Sequence, residues 1–446
     1  MNVAVTKTKA EQAFGEAFAN VAEALPGGAG VAKLRREAIG RFETLGLPHR
    51  RIEAWKYTDL RAGLKEAFAP AVDAPAAVKL ADLDAALGPL AAIDAVRVVF
   101  VDGAYEKALS GADGIDGLAV EMLAGELGGE NAGDLLRLNS GDDDAMLALN
   151  TAYVSDGAVV GIAKGAKLDK PLMIVHVRAA AAPQLVTTRN IVSVGEGAQA
   201  TIIEVFVALP GAAREAQHNA ATEIGVGDGA EVTHVKCTLE TPDAVHIASW
   251  VVEIGAQANY RAFHLTTGSR LVRNGASLLF KGEDAKLDFS GVFLERNAEH
   301  VDSTLIIDHA VPACEGRELF KGVLEDTARG IFQGKVIVRP DAQKTDGKQM
   351  AQVLMLSPDA EFDSKPELEI YADDVVCGHG STSADLDEDL LFYCQSRGIP
   401  EADARALLIV SFIGEAIEKV EHENVREALT EIARGWLAKG AASRGA

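Results

Sequence analysis

Basic residues are scarce in this chain: 43 Lys and Arg stand against 66 Asp and Glu in 446 residues, a formal net charge of −23. That balance argues against nucleic acid and anionic membrane surfaces as partners, because both reward clustered Lys and Arg. Long apolar runs are missing as well. Hydrophobic residues make up 48% of the chain, yet no stretch approaches the roughly 20 residues of a membrane-spanning helix. The opening MNVAVTKTKAEQAFGEAFANVAEAL has no charged start followed by an apolar signal core and reads as an amphipathic helix. A soluble, cytoplasmic protein with no membrane or nucleic-acid partner is the expectation.

Cysteine is rare and scattered. Cys237, Cys314, Cys377 and Cys394 are widely spaced with no CxxC, which disfavours a zinc ribbon or a self-contained cluster site. As reduced thiols they default to small buried hydrophobes, Cys237 and Cys394 above all. The usual signatures of turnover are absent too. There is no GxxxxGK[ST], so this chain carries no P-loop of its own, and there is no GxGxxG after a strand, no HExxH and no GxSxG. The acidic run Gly141 to Asp144 reads as a solvated loop. His309 and Cys314, in IIDHAVPACEG, are near one another but separated by Pro312, and a buried or turn role is the default for both.

What is present is organised in three textures. Residues 1–150 are Ala- and Leu-rich with helical spacing, interrupted by the strand-like VRVVFVDG. Residues 151–390 break into short strands such as LMIVHV, ATIIEVFVAL and SLLF, separated by glycine-bearing turns. Residues 391–446 return to helix. Pro400 suits a first helical position, with Glu401 and Asp403 favourable to the dipole. A second helix is expected to start at Asn424, with Glu427 completing a capping box. Its Leu429, Ile432, Ala433 and Trp436 share one face.

The middle region repeats. A turn ending in Ala recurs at Ala166, Ala198, Ala230, Ala258, Ala285, Ala328 and Ala360, with intervals of 32, 32, 28, 27, 43 and 32 residues and a partial copy near Asn297-Ala298 in the long gap. A period near 30 with strands on both sides of each turn predicts a mainly β solenoid, a β-helix whose stacked coils share one core. A β-sandwich would not require a recurrent small corner. The helical ends are placed to cap the open coils.

One stretch of this region concentrates chemistry. In YADDVVCGHGST (Tyr371 to Thr382), alternation along a strand puts Cys377 and His379 on the same face. A thiol and an imidazole so placed can be a nucleophile dyad, half of an iron or iron–sulfur site, or a satisfied buried pair. The dyad lacks any candidate oxyanion hole. The metal reading suits the soft thiolate, but the remaining ligands must then come from elsewhere, plausibly a second chain.

The segment Ala342 to Ile399, together with His309 to Val338, resembles the core signature of the SufB/SufD family, the scaffold components of the SUF iron–sulfur cluster assembly system. RIEAWKYTDL (Arg51 to Leu60) looks like the E-x-W-K-Y-T stretch of the SufD branch. The resemblance implies a right-handed parallel β-helix flanked by N- and C-terminal helical regions, with no chemical turnover by this chain. It implies pairing with SufB through the end that bears Cys377 and His379, which match the ADDVxCxHG motif as putative iron–sulfur assembly residues. It also implies contact with the ATPase SufC through about Arg397 to Val420, with ATP hydrolysis supplied by that partner. No tightly bound cofactor is expected, only transient iron or a cluster at the SufB interface, and a homodimer is possible in isolation. The family's G-A-T after the histidine is Gly380-Ser381-Thr382 here, a mild departure. A SufB-like subunit carrying the cluster itself and an unrelated β-helix enzyme are the competing readings.

Overall fold

A computed structural model describes residues 7–129, 132–136 and 144–444. Among them, two ten-stranded, almost wholly parallel sheets face each other. The chain alternates between them, one strand in each per coil. The first sheet runs from Ala158–Ile162 through Gln184–Val194, Gln217–Val226, Val245–Ile254, Leu271–Phe280, His300–His309 and Arg329–Val338 to Glu361–Ile370. The second runs from Val96–Val101 through Leu172–Arg178, Gln199–Ala208, Glu231–Leu239, Asn259–Thr267, Lys286–Glu295, Glu315–Leu324 and Asp346–Met355 to Val376–Ala384. This is the parallel β-solenoid the period predicts. Its strands read as near-continuous apolar runs because both faces of each sheet are covered. Inward residues such as Ile202, Val252, Leu278 and Phe289 fill the space between the sheets. Outward ones pack against helices.

The periodic corner has a stacking cause. Gly165-Ala166, Gly197-Ala198, Gly229-Ala230, Gln257-Ala258, Asp284-Ala285, Ala313-Cys314 and Lys344-Thr345 each pair a positive-φ residue with a small one. The second residue closes the turn, as where the Ala198 N–H donates to the Gly195 carbonyl (3.1 Å). The first bonds to the neighbouring coil: the Gly197 N–H donates to the Asp228 carbonyl (2.8 Å) and the Gly229 N–H to the Ala256 carbonyl (2.7 Å). A large side chain between stacked corners would part them. The expectation of a single alanine series is corrected here. Asn297-Ala298, Ala328 and Ala360 lie on the opposite edge, in turns from the second sheet to the first. The 43-residue interval exists because Cys314 takes the alanine's place on the first edge, one residue before the Lys286–Glu315 pairing.

The two ends differ. At the N-terminal end the parallel ladder is stopped by antiparallel pairings, Leu118–Met122 on Ala158–Ile162 and Ala104–Tyr105 on Val96–Val101. Helices Lys9–Val21, Ala29–Leu45 and Ala145–Tyr153 cover the first sheet with Phe14, Phe42 and Tyr153. Asp144 caps the last of these by accepting from the Met146 and Leu147 N–H groups (both 2.9 Å). The other residues of the acidic run, 141–143, lie outside the described residues. Helices Glu401–Ile417 and Glu423–Arg444 cover the second sheet, with Leu429, Ala433 and Trp436 buried as the spacing predicts. The last helix starts at Glu423, so Asn424 falls in its first turn and not at the cap. Pro400 caps the helix before it, with extended ψ, and is not its first residue. At the C-terminal end Val376–Ala384 and Glu361–Ile370 are terminal strands, each paired on one side only among the described residues.

Candidate functional site

Cys377 and His379 sit on the terminal strand Val376–Ala384, opposite Gly347 and Gln349 of Asp346–Met355. The Cys377 side chain packs beside Val336, Val338 and Ala372, so its face of the strand is the inward one. His379, two residues along, shares that face. With no further coil above it, this face is open: His379 is exposed and Cys377 half-buried. Exposed apolar residues surround the opening, among them Tyr371 (62%), Val376 (61%) and Ile370 (41%).

Burial pushes the Cys377 thiol above its ordinary value, while the Gly347 backbone N–H acts the other way. A nucleophilic dyad needs the opposite shift. The upward direction speaks against Cys377 as a free nucleophile.

Directly below, the register stacks three rows: Glu315 to Leu319, Asp346 to Met350 and Val376 to Gly380. It places Glu318 and Gln349 under His379, and Gly316 and Gly347 under Cys377. Glu318 is 3% exposed, and neither carboxylate oxygen has a hydrogen-bond partner. Burial drives its carboxyl up to about 8 against the pull of Arg317. Across the interior, His309 of the first sheet is fully buried and stacks on Phe280 at 4.4 Å. Both its ring nitrogens lack a partner, and burial pushes the imidazole down to about 4, so it stands neutral as a potential ligand. Sequence reasoning put His309 and Cys314 on the same footing, and the structure separates them. Cys314 is a corner residue whose thiol donates to the Gly282 and Pro312 carbonyls (both 3.4 Å). His309 faces the space beneath Cys377. Glu318 and Gln349 were missed. Their signal is the aligned triplet Gly316-Arg317-Glu318, Gly347-Lys348-Gln349 and Cys377-Gly378-His379, legible only once the coil register is known.

A second polar cluster lies deeper, in the middle coils, and sequence reasoning missed it too. His218, Glu240 and His246 bring three ligand atoms within 4.8 Å of one another. Arg178 already holds Glu240 at 2.6 Å, and the Lys236 amine sits 3.1 Å from His246 Nε2. Burial lowers Lys236 to about 7. Two basic groups at this point oppose a further cation, and the cluster reads as a buried polar network in which Glu240 is held by Arg178. Cys237, pushed by burial up to about 12, lies under the helical layer as the small hydrophobe expected, and Cys394 is likewise buried.

The Arg51 to Leu60 stretch clamps the N-terminal region to the first sheet. Trp55 receives the Arg273 guanidinium on its face at 3.9 Å. Arg273 also donates to the Ala54 carbonyl (2.7 Å) and pairs with Asp302, which accepts in turn from Thr58. Lys365 on the terminal strand pairs with Glu53.

Two family models match the chain: SUF system FeS cluster assembly, SufBD core domain, over residues 176–412, and SufBD protein N-terminal region over residues 8–174. Iron–sulfur cluster assembly protein SufD of Escherichia coli (strain K12) is 31% identical over 387 residues, covering 86% of this chain and 87% of that one. An iron–sulfur cluster assembly SufBD family protein of Synechocystis sp. is 32% identical over 410 residues, covering 86% of each. The SufD of Bacillus subtilis is 27% identical over 299 residues, covering 65% of this chain and 66% of that one. With a parallel solenoid and both matching regions spanning nearly its full length, the chain belongs to the SufBD family of iron–sulfur cluster assembly proteins.

Proposed function

We propose that this chain is a SufD-type scaffold subunit, acting in the cytoplasm, that builds clusters at a site shared with a SufB subunit. The observation that carries the reading is the placement of Cys377 and His379 on a terminal strand paired on one side only, facing into an open coil end rimmed by Tyr371, Val376 and Ile370. Such an end invites the matching end of another solenoid, whose ligands would complete a two-residue set. Iron and the nascent cluster are cargo here. His379, exposed at the mouth, takes iron or a proton, with Cys377 behind it. A SufC-type ATPase, bound at about Arg397 to Val420, supplies hydrolysis in trans for a chain whose sequence has no P-loop. Leu390, Phe392, Tyr393 and Leu407 offer it an apolar surface, each more than half exposed.

The two proposed contacts are mechanically joined. On the outer face of Glu315–Leu324, Lys321 pairs with Glu415 at 2.6 Å and lies over Phe412 at 4.3 Å. Lys419 pairs with Asp288 at 3.1 Å on the neighbouring strand. The inner face of Glu315–Leu324 carries Glu318. Closure of ATP-bound ATPases around the helices favours one arrangement of these strands over another, which is the differential binding a conformational step requires.

The test is co-expression with SufB and SufC, comparing wild type with His379→Ala by size exclusion and by cluster absorbance. The expected result is an intact complex without cluster. A complex with normal cluster content would make the Cys377–His379 pair structural and place the active ligands on SufB alone. A stable cluster reconstituted on the isolated chain would instead favour a SufB-like role.

A further inference from the structure

Beneath the proposed assembly site the interior holds more donor atoms than the fold uses. A buried polar atom without a partner is costly because its lost hydration is not replaced, and here His309 leaves two and Glu318 two in the same coils. The backbone beside them is pared to glycine. A methyl group added at Gly316 would stand 3.2 Å from His309 Nε2 and 3.8 Å from Glu318 Oε1. One added at Gly347 would stand 3.7 Å from Cys377 Sγ and 3.9 Å from His309 Nε2. The two glycines sit opposite one another on adjacent strands, bordered by an imidazole nitrogen, a carboxylate and a thiol. Arg317, the nearest cation in sequence, turns outward to Asp346 at 2.7 Å.

We infer that His309, Glu318 and Cys377 form an interior divalent-cation site, a holding place for ferrous ion between the open mouth at His379 and the core. The inference rests on the proposed assembly role of that mouth and extends it inward. The ligand set is suited to iron: one neutral nitrogen, one carboxylate and one thiolate. Binding releases the protons of Glu318 and Cys377, so the two anions balance the 2+ charge and leave a neutral site in the apolar interior. The ligand atoms of His309, Glu318 and Cys377 do not all lie within 4.8 Å of one another in this structure, so bonding lengths of roughly 2.0–2.3 Å require Glu318 and His309 to rotate towards Cys377. An ion so held also satisfies the donor atoms that the apo fold leaves unpartnered.

Cobalt(II), added anaerobically to the isolated full-length chain, is the probe. The expected result is one ion per chain with a thiolate-to-metal charge-transfer band in the near ultraviolet. Cys377→Ser should abolish that band. Glu318→Gln keeps the shape of the side chain, and Gly347→Ala adds a methyl that meets only ordinary contacts of 3.6–3.9 Å, so both variants should fold. Each should weaken binding by at least the ~10-fold that loss of an outer-shell partner alone costs. A wild-type chain that takes up no cobalt, binding without the band, or undiminished binding in Glu318→Gln and Gly347→Ala would overturn the site. None of these outcomes bears on the His379→Ala experiment in the complex, so failure of this inference and failure of the assembly reading are separately visible.

Discussion

Glu318→Gln should stabilise the protein, and by an amount that depends on pH. The carboxyl is 3% exposed, without a hydrogen-bond partner, and raised to about 8 from a reference of 4.5. A raised folded-state value means the native state holds the proton more tightly than the unfolded chain does. Its stabilising effect is complete below the unfolded value and is lost as pH rises towards 8. Inside that window each unit removes ~1.36 kcal/mol. Between about pH 5.5 and about pH 7.5, wild type should therefore lose on the order of 3 kcal/mol relative to Glu318→Gln, whose side chain does not titrate. Comparing the two proteins cancels every other titrating group. Urea unfolding followed by far-ultraviolet circular dichroism at the two pH values gives the double difference directly. A gap between wild type and variant that is the same at both values would refute the reasoning, since Glu318 would then be ionised in the folded protein at both.

Two further predictions concern the coils beneath the site. A methyl at Gly322 would fall 2.1 Å from the Phe293 ring, so Gly322→Ala should cost about 1–3 kcal/mol and lower the thermal midpoint. Gly378→Ala, with nothing within 4 Å, should leave that midpoint nearly unchanged. Glu415→Ala strands Lys321, whose side chain is 2% exposed. It should destabilise by about 1–3 kcal/mol, while Lys321→Met in the same melt should be close to neutral.

The solenoid was legible because its coils impose a rule that a single sequence can display. Stacked corners admit only small side chains, so alanine recurs with the coil length. The reading failed where one coil met the rule with Cys314, and where a similar turn on the far edge carried the pattern on through Ala328 and Ala360. Spacing reports the period of a series and not the edge it lies on. Cys377 and His379 were legible as one face because two residues on a strand need only alternation. Glu318 and Gln349 come to them through hydrogen-bonded register across coils of 31 and 30 residues, and His309 crosses from the other sheet. No local pattern announces any of the three. The central His218–Glu240–His246 network was invisible for the same reason: its members reach one another only across two strands and the turn after a third.

The unequal ends of the solenoid set the arithmetic of assembly. The ladder is finished by antiparallel strands at Leu118–Met122 and Ala104–Tyr105, whereas the opposite end finishes in parallel ones; under the proposed pairing through that opposite end, the molecule has a joining valence of one. Two such monovalent units meeting open end to open end consume both valences at once. Growth stops at a pair, and the exposed backbone edge that would seed a fibre in a doubly open solenoid acts here as a chain terminator.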